Sequence, residues 1–353
     1  MSTFAERLLE WFDAHGRRGL PWMQPRTPYR VWLSEIMLQQ TQVATVIPYF
    51  GRFVAALPSL PALAAAEPDE VLALWSGLGY YSRARNLHAA ARQCVAMHGG
   101  ELPRDFDALL ALPGIGRSTA GAILAQAWGD PRPILDGNVK RLLARLHGVE
   151  GWPGLPAVER QLWAIAEAAL PASAPARERM ADYTQAQMDF GATLCSRGRP
   201  LCNSCPFAVD CVARREGRTA TLPTPRPRKP LPQRETRMLW LRDADGRTLL
   251  AKRPAAGVWP TLWSLPEADD EATLMALARR HADIATNGRA RPLPGIEHVF
   301  THFKLRIHPL LVEGANARTA VGDNDAWRWV PPEDLSALGI PSPVRKLIEE
   351  PNA

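Results

Sequence analysis

Leu112-Pro-Gly-Ile-Gly-Arg-Ser-Thr-Ala120 breaks a helical pattern that resumes on its far side. Residues 106–111 and 119–128 carry apolar side chains at helical spacing, and Pro113, Gly114 and Gly116 between them permit a tight turn. Glycine also lets a phosphate come close to the backbone. A helix starting after Gly116 offers that phosphate unpaired N–H groups and a positive dipole end, with Arg117 beside them. Two helices joined this way form a helix–hairpin–helix, which holds a nucleic-acid backbone without reading its bases. An ordinary connecting turn is the simpler alternative, against which the complete Leu-Pro-Gly-Ile-Gly string argues.

The surroundings are helical too. Segments 60–75, 84–97, 139–146 and 159–170 are periodic in Ala and Leu, separated by Gly/Pro breaks. Val31-Trp-Leu-Ser-Glu-Ile-Met-Leu-Gln-Gln-Thr-Gln-Val43 reads as a further helix, capped by Thr27 and opened by Pro28. On it Val31, Trp32 and Glu35 share one apolar face. A carboxyl kept from water there acquires a raised pKa, which suits it to protonate a leaving group. A glutamate turned outward at the helix edge is the plainer reading, and only a second carboxylate tips the balance.

That carboxylate is found in Ile134-Leu-Asp-Gly-Asn-Val139. Asp136 and Asn138 stand just before a helix carrying Lys140 and Arg141, where a simple capping role explains them equally well. One carboxyl held protonated (Glu35) and one ionised (Asp136) are the equipment for cleaving a glycosidic bond through an oxocarbenium-like centre. Cys195, Cys202, Cys205 and Cys211 lie within one short loop. Four such thiolates ligate an iron–sulfur cluster or zinc, and spacing alone does not separate the two. Cys94 stands apart in a predicted helix as a core residue.

The chain's 353 residues suffice for two domains, and the net charge of +6 favours a polyanionic partner. Clustered cysteines fit a reducing compartment better than a disulfide framework. No uncharged run approaches the length of a bilayer span, and the N-terminus is an amphipathic helix rather than a signal peptide, so the cytoplasm is the default location. Residues 217–232, rich in Pro, Arg and Lys, read as a stiff extended linker. Beyond it 238–242, 248–252 and 303–311 resemble strands, Asp245-Gly246 a turn, and 273–281 and 344–349 helices. The expected architecture is a mostly α catalytic domain (1–216), a linker (217–235) and a smaller α+β domain (236–353).

Taken together, Leu20-Pro-Trp22, 31–43, Gly77-Leu-Gly-Tyr-Tyr81, Ala84-Arg-Asn86, 112–120, 135–141, 185–192, the cysteine loop and Phe300-Thr-His-Phe303 resemble one family. They are similar to the adenine DNA glycosylases, the MutY family of the endonuclease III superfamily. The resemblance implies a six-helix barrel with a helix–hairpin–helix, and a 4Fe–4S cluster held by Cys195, Cys202, Cys205 and Cys211. It implies a monomer that binds duplex DNA containing adenine opposite 8-oxoguanine and flips the adenine out. Glu35 would protonate adenine N7, Asp136 would stabilise the sugar cation, and Asn138 would support them. Trp22, Leu38 and Gln185 would form the adenine pocket. Gln39, Gln40, Thr41, Tyr80, Gly114, Gly116 and Arg117 would meet the DNA, with Gln40 and Tyr80 pushing in beside the opposing base.

Ser118 stands where relatives that also cut the strand carry a Schiff-base lysine, so the resemblance implies hydrolysis without lyase chemistry. The C-terminal part, through Gly257-Val-Trp259 and Leu262-Trp-Ser-Leu-Pro266, resembles a Nudix-like domain. It lacks the Arg-Glu…Glu-Glu helix that holds magnesium, which implies recognition without nucleotide hydrolysis. Phe300, Thr301 and His302 match the loop that senses 8-oxoguanine, with Thr301 where many relatives have serine. Two alternatives stand: a pyrimidine-lesion glycosylase with lyase activity, opposed by Ser118, and a non-catalytic iron–sulfur DNA-binding protein, opposed by the Glu35–Asp136 pairing.

Overall fold

The computed structural model describes residues 2–227, 230–283, 290–317 and 326–349. Contacts divide the chain into two compact units, Met1–Ala65 with Asn86–Arg228, and Ala66–Arg85 with Lys229–Ala353. The helices begin with α1 (Phe4–His15), α2 (Pro28–Leu38), α3 (Val43–Ala56), α4 (Leu60–Ala65), α5 (Pro68–Leu74) and α6 (Ser82–Met97). There follow α7 (Phe106–Leu110), α8 (Arg117–Trp128), α9 (Gly137–His147), α10 (Pro156–Ala168), α11 (Ala174–Glu178), α12 (Met180–Thr193) and α13 (Val212–Arg215).

The expected single helix over 60–75 is two. Pro68 has no N–H to continue a ladder and opens α5 instead, so α4 stops before it. Helix α2 starts as read from the sequence, with the Thr27 side chain accepting from the Arg30 N–H and Pro28 in the first turn. Its Val31, Trp32, Leu33 and Met37 are fully buried, because a helix apolar on nearly all sides must be surrounded. Helices α3 and α8 pack on it, while α1, α8 and α9 pack on α12. Between α1, α12 and the cysteine loop lie Leu8, Phe12, Phe190 and Phe207, with Trp11 edge-on to Phe190 at 4.8 Å.

One buried charge is fully answered. Asp189 on α12 has no exposure and accepts from the Arg17 N–H, Nε and Nη2 and from Gln185 Nε2 at 2.6–2.9 Å. Two residues on, Gly191 lets α12 approach the first turn of α9, since a Cβ there would lie 2.7 Å from Asn138 Cβ and 2.9 Å from Asn138 O.

The second unit is built on β1 (Gln233–Asp243), β2 (Thr248–Lys252), β3 (Trp263–Ser264), β4 (Glu267–Ala268), β5 (Ala282–Asp283), β6 (Arg291–Pro292), β7 (Ile296–Val299), β8 (Lys304–Ala317) and β9 (Trp327–Val330). The path through the sheet runs β3-β2-β1-β8-β5, with β1 and β8 parallel at its centre. Helix α14 (Glu271–His281) covers it through Leu274 and Ala278, which join Leu239, Leu241, Leu249 and Val312 in one core; α15 is Ser342–Glu349. Strand β8 runs past the expected 303–311 to Ala317 along its partner β1. The segment Ala66–Arg85 belongs to this unit because its polar groups find partners there. Asp69 accepts from Lys252 Nζ (2.9 Å) and Trp263 Nε1 (3.1 Å), and Tyr81 OH donates to Ile340 O (2.9 Å).

The α9–α12 approach predicts that Gly191→Ala destabilises the protein by about 1–3 kcal/mol through overpacking, read as a lower urea midpoint with unchanged slope.

Candidate active site

Glu35 sits near the end of α2, half-buried on a helix whose neighbouring residues Ser34, Ile36 and Met37 are buried. Gln126, a buried polar residue on α8, donates from Nε2 to Glu35 Oε1 at 2.8 Å. Burial pushes the Glu35 carboxyl up to about 7, the Gln126 bond draws it partly back, and the charge of Asp136 adds a smaller upward push. The two carboxylates separated by a hundred positions are therefore electrostatic neighbours.

Asp136 is the N-cap of α9, and so satisfies the capping explanation as well. Its Oδ1 accepts from the Val139 N–H (2.8 Å) and its Oδ2 from Asn138 Nδ2 (3.2 Å). Burial raises its carboxyl, while these donors and the Arg141 charge favour the ionised form. Asn138 Oδ1 in turn accepts from Arg141 Nη2 (2.9 Å), whose guanidinium also donates to Gly191 O (2.6 Å) and Cys195 O (2.9 Å). Ser118, in the first turn of α8, accepts from the Leu135 N–H through Oγ at 2.9 Å. The hydroxyl thereby ties the segment leading to Asp136 to the helix that carries Gln126.

In the turn between α7 and α8 the two glycines do different work. Gly114 has φ +80°, and a Cβ there would lie 2.9 Å from Asn86 Cβ. Gly116 caps α8 with no side-chain bond, and a Cβ on it would meet nothing within 4 Å. Its lack of a side chain leaves the α8 N–H groups open from outside. Arg117 lies over the Trp163 ring (3.9 Å) and pairs with Glu167 on α10.

The remaining expected residues scatter by role. Trp22 is buried edge-on to Phe50 at 5.4 Å, and Leu38 and Gln39 are half-buried at the end of α2. Gln185 is engaged with Asp189 on its own helix. Gln40 is exposed with φ +59°, and Thr41 next to it is half-buried. A non-glycine side chain in the left-handed region is strained, a feature that gathers at functional sites. In the second unit Tyr80 repeats it, with φ +48° and 48% exposure. There Tyr80, Trp259, Phe300, Thr301 and His302 line one open cleft. The Phe300 N–H donates to Phe303 O (2.8 Å), which puts Thr301 and His302 at a hairpin tip between β7 and β8. Phe300 is stacked on Phe303 at 4.4 Å.

All four loop cysteines border a single cavity with Phe190, Phe207 and Arg145. Arg145, buried on α9, donates to Leu222 O (2.8 Å), Ser196 O (2.7 Å) and Cys195 Sγ (3.5 Å), pinning the loop to the helical body. Neither Arg145 nor Gln126 was singled out from sequence. Gln126 carried a signal, as a lone polar side chain on an otherwise apolar helix face requires a specific partner when buried, whereas Arg145 shares its face with Arg141 and Asn138 and did not stand out.

A helix–hairpin–helix that brings an acid and an aspartate together defines the class of base-excision DNA glycosylases. Residues 33–168 match the family described as HhH-GPD superfamily base excision DNA repair protein, and 237–350 match the NUDIX domain family. Among solved structures, a thermostable thymine-DNA glycosylase is 26% identical, with TM-score 0.54 over 60% of this chain and 95% of that one. An endonuclease III–DNA covalent intermediate (23%, TM-score 0.51, over 60% and 94%) shares the fold. The adenine DNA glycosylase of Buchnera aphidicola (Acyrthosiphon pisum) is 35% identical over 98% of this chain and 97% of its own. The human adenine DNA glycosylase is 32% identical over 98% of this chain and 73% of its own. The chain belongs to the adenine DNA glycosylase family.

A carboxyl raised from its ordinary 4.5 to about 7 costs no stability below 4.5, where it is protonated in both folded and unfolded chains. The cost grows as pH rises and is complete above 7. Glu35→Gln is accordingly expected to stabilise the protein by about 2–3 kcal/mol at pH 8 and not at pH 4, read by urea unfolding. Gln126→Leu is expected to move the Glu35 titration, followed by carboxyl carbon NMR, above 7.

Proposed function

We propose that this protein is a monofunctional glycosylase that removes adenine paired with 8-oxoguanine from duplex DNA, and adenine opposite guanine as well. The observation that carries this is Glu35, dehydrated enough to hold a proton near neutral pH and set beside Asp136. Phosphate binding alone requires neither carboxylate. With the adenine flipped from the stack, Gln126 holds Glu35 Oε1 so that the other oxygen faces the base. Glu35 gives its proton to N7, and the bond from the base to C1′ breaks. Asp136, whose carboxylate accepts from Val139 and Asn138, stabilises the positive sugar. Water then adds to C1′ and returns a proton to Glu35, leaving an abasic site. Ser118 offers no amine for a Schiff base, so the strand stays intact.

The opposing 8-oxoguanine is assigned to the cleft of Tyr80, Phe300, Thr301 and His302. Exposed aromatic and hydrogen-bonding groups around one space, with Tyr80 held in a strained conformation, support that assignment. Helix α14 has acidic residues only at its start and ends in Arg279, Arg280 and His281, which supports recognition without magnesium-dependent hydrolysis.

Cys195, Cys202, Cys205 and Cys211 would hold a 4Fe–4S cluster. Four thiols bordering one cavity suit a polynuclear group. Bound there, the cluster would cross-link the loop through thiolate–iron bonds. Arg145 and Arg141 join that loop to α9, the helix that begins at Asp136.

In single turnover on a duplex with one adenine opposite 8-oxoguanine, strand breaks are expected only after hot alkali. They should fall by at least about 100-fold in Glu35→Gln, as loss of a general acid does. The rate should drop as pH rises past 7. Uncleaved adenine would reject the substrate, and breaks without alkali would reject the hydrolytic mechanism. Purified protein is also expected to be brown and to contain iron and sulfide. Colourless protein loaded with zinc would overturn the cluster.

A further inference from the structure

Residues 217–232 have the composition of a free, extended linker, yet the first half is packed on the helical unit. Leu222 is buried, its carbonyl accepts from Arg145 Nε (2.8 Å), and Thr224 Oγ1 accepts from the Gly151 N–H (3.1 Å). Farther on, the Arg226 guanidinium lies over the Trp152 ring, 5.4 Å from its centroid. Trp152 lies where a side chain at Gly154 would be, since a Cβ there would come within 2.3 Å of the indole. Glycine at 154 therefore makes room for the ring, and the ring props the arginine.

Trp152, Gly154, Leu222, Thr224 and Arg226 line one open cleft. So do Gly137, Lys140 and Arg141 at the start of α9 and Arg197 of the cysteine loop. Five cations (Lys140, Arg141, Arg145, Arg197 and Arg226) line the cleft, and among the described residues no carboxylate does. Lys140 is paired with Glu159 at 2.7 Å, and Arg141 and Arg145 donate to main-chain carbonyls. Arg197 and Arg226 are exposed, and are the cations most open to a ligand.

We propose that this cleft holds the phosphodiester backbone of the strand that carries the target nucleotide, with Arg226 as a phosphate contact supplied by the linker. The strand is identified by Gly137, which lines the cleft immediately after Asp136. A sugar bound at Asp136 places its neighbouring phosphates at the cleft's mouth. An arginine already resting on an indole loses less side-chain freedom when it binds, and its planar fork matches phosphate oxygens. The proposal rests on the DNA-acting function above but not on the identity of the excised base.

The test is fluorescence anisotropy of the full chain on an undamaged duplex, from about 50 to 200 mM salt, a range over which phosphate contacts dominate. Arg226→Ala is expected to reduce the slope of log affinity against log salt by about 0.9, the release of one contact's counterions. The affinity lost over that range then shrinks by about 3.5-fold. Arg226→Lys should keep most of the slope. Trp152→Ala should lower it, with no further loss in the double variant, and Trp152→Phe should restore it. A wild-type slope in Arg226→Ala overturns the proposal even if wild type excises adenine. A reduced slope in a protein that leaves adenine intact upholds the cleft and rejects only the substrate assignment.

Discussion

A carboxyl keeps its proton near neutral pH only where water is withheld from it, and withholding water from one side chain constrains much of a fold. Here the constraint falls on Glu35. The helix bearing it must be apolar on its other faces so that packing can enclose it, and Val31, Trp32, Leu33 and Met37 meet that need. A second helix must pass close enough to supply one neutral donor and no cation, a part taken by Gln126. A lysine or arginine in its place would favour the ionised form and lower the pKa. The site thus carries a stability cost that the surrounding hydrophobic packing offsets.

The second carboxylate needs the reverse treatment. Lost hydration raises Asp136 as well, but it sits on a helix N-terminus with Val139 and Asn138 donating to it, so its anion has more donors than the single Gln126 bond gives Glu35. The support continues outward without a break. Ser118 holds Leu135, Arg141 joins Asn138 to Gly191 and Cys195, and Arg145 joins the same helix to the cysteine loop and to Leu222. One helix, α9, therefore links the candidate catalytic aspartate, the candidate cluster loop and the docked start of the linker.

The second unit solves a different problem, that of presenting exposed side chains in a defined geometry. Tyr80 and Trp259 both have φ values in the left-handed region, at +48° and +50°. Such backbones persist only when neighbours over-determine them. Asp69 with Lys252 and Trp263, Tyr81 with Ile340, and the short Phe300–Phe303 turn supply that determination.

Much of this was legible in the residues themselves, for local reasons. Thr27-Pro28 announced α2, the Gly-x-Gly string announced the hairpin, Asp136 announced a cap, and cysteine spacing announced a shared site; each is decided by neighbours within a few positions. Pro68 is equally legible as a helix start, and its missing N–H outweighs the longer Ala/Leu periodicity. Three matters were decided only by tertiary structure. The segment Ala66–Arg85, helical by pattern, joins the sheet-containing unit because Asp69 and Tyr81 find their partners there. Residues 222–226, linker by composition, are docked because Arg145 and Gly151 bond to them. The nearness of Glu35 to Asp136, and hence the proton that Glu35 holds, follows from the packing of α2 on α8. Local sequence dictates caps, turns and faces, whereas desolvation and long-range hydrogen bonds exist only once distant segments have come together.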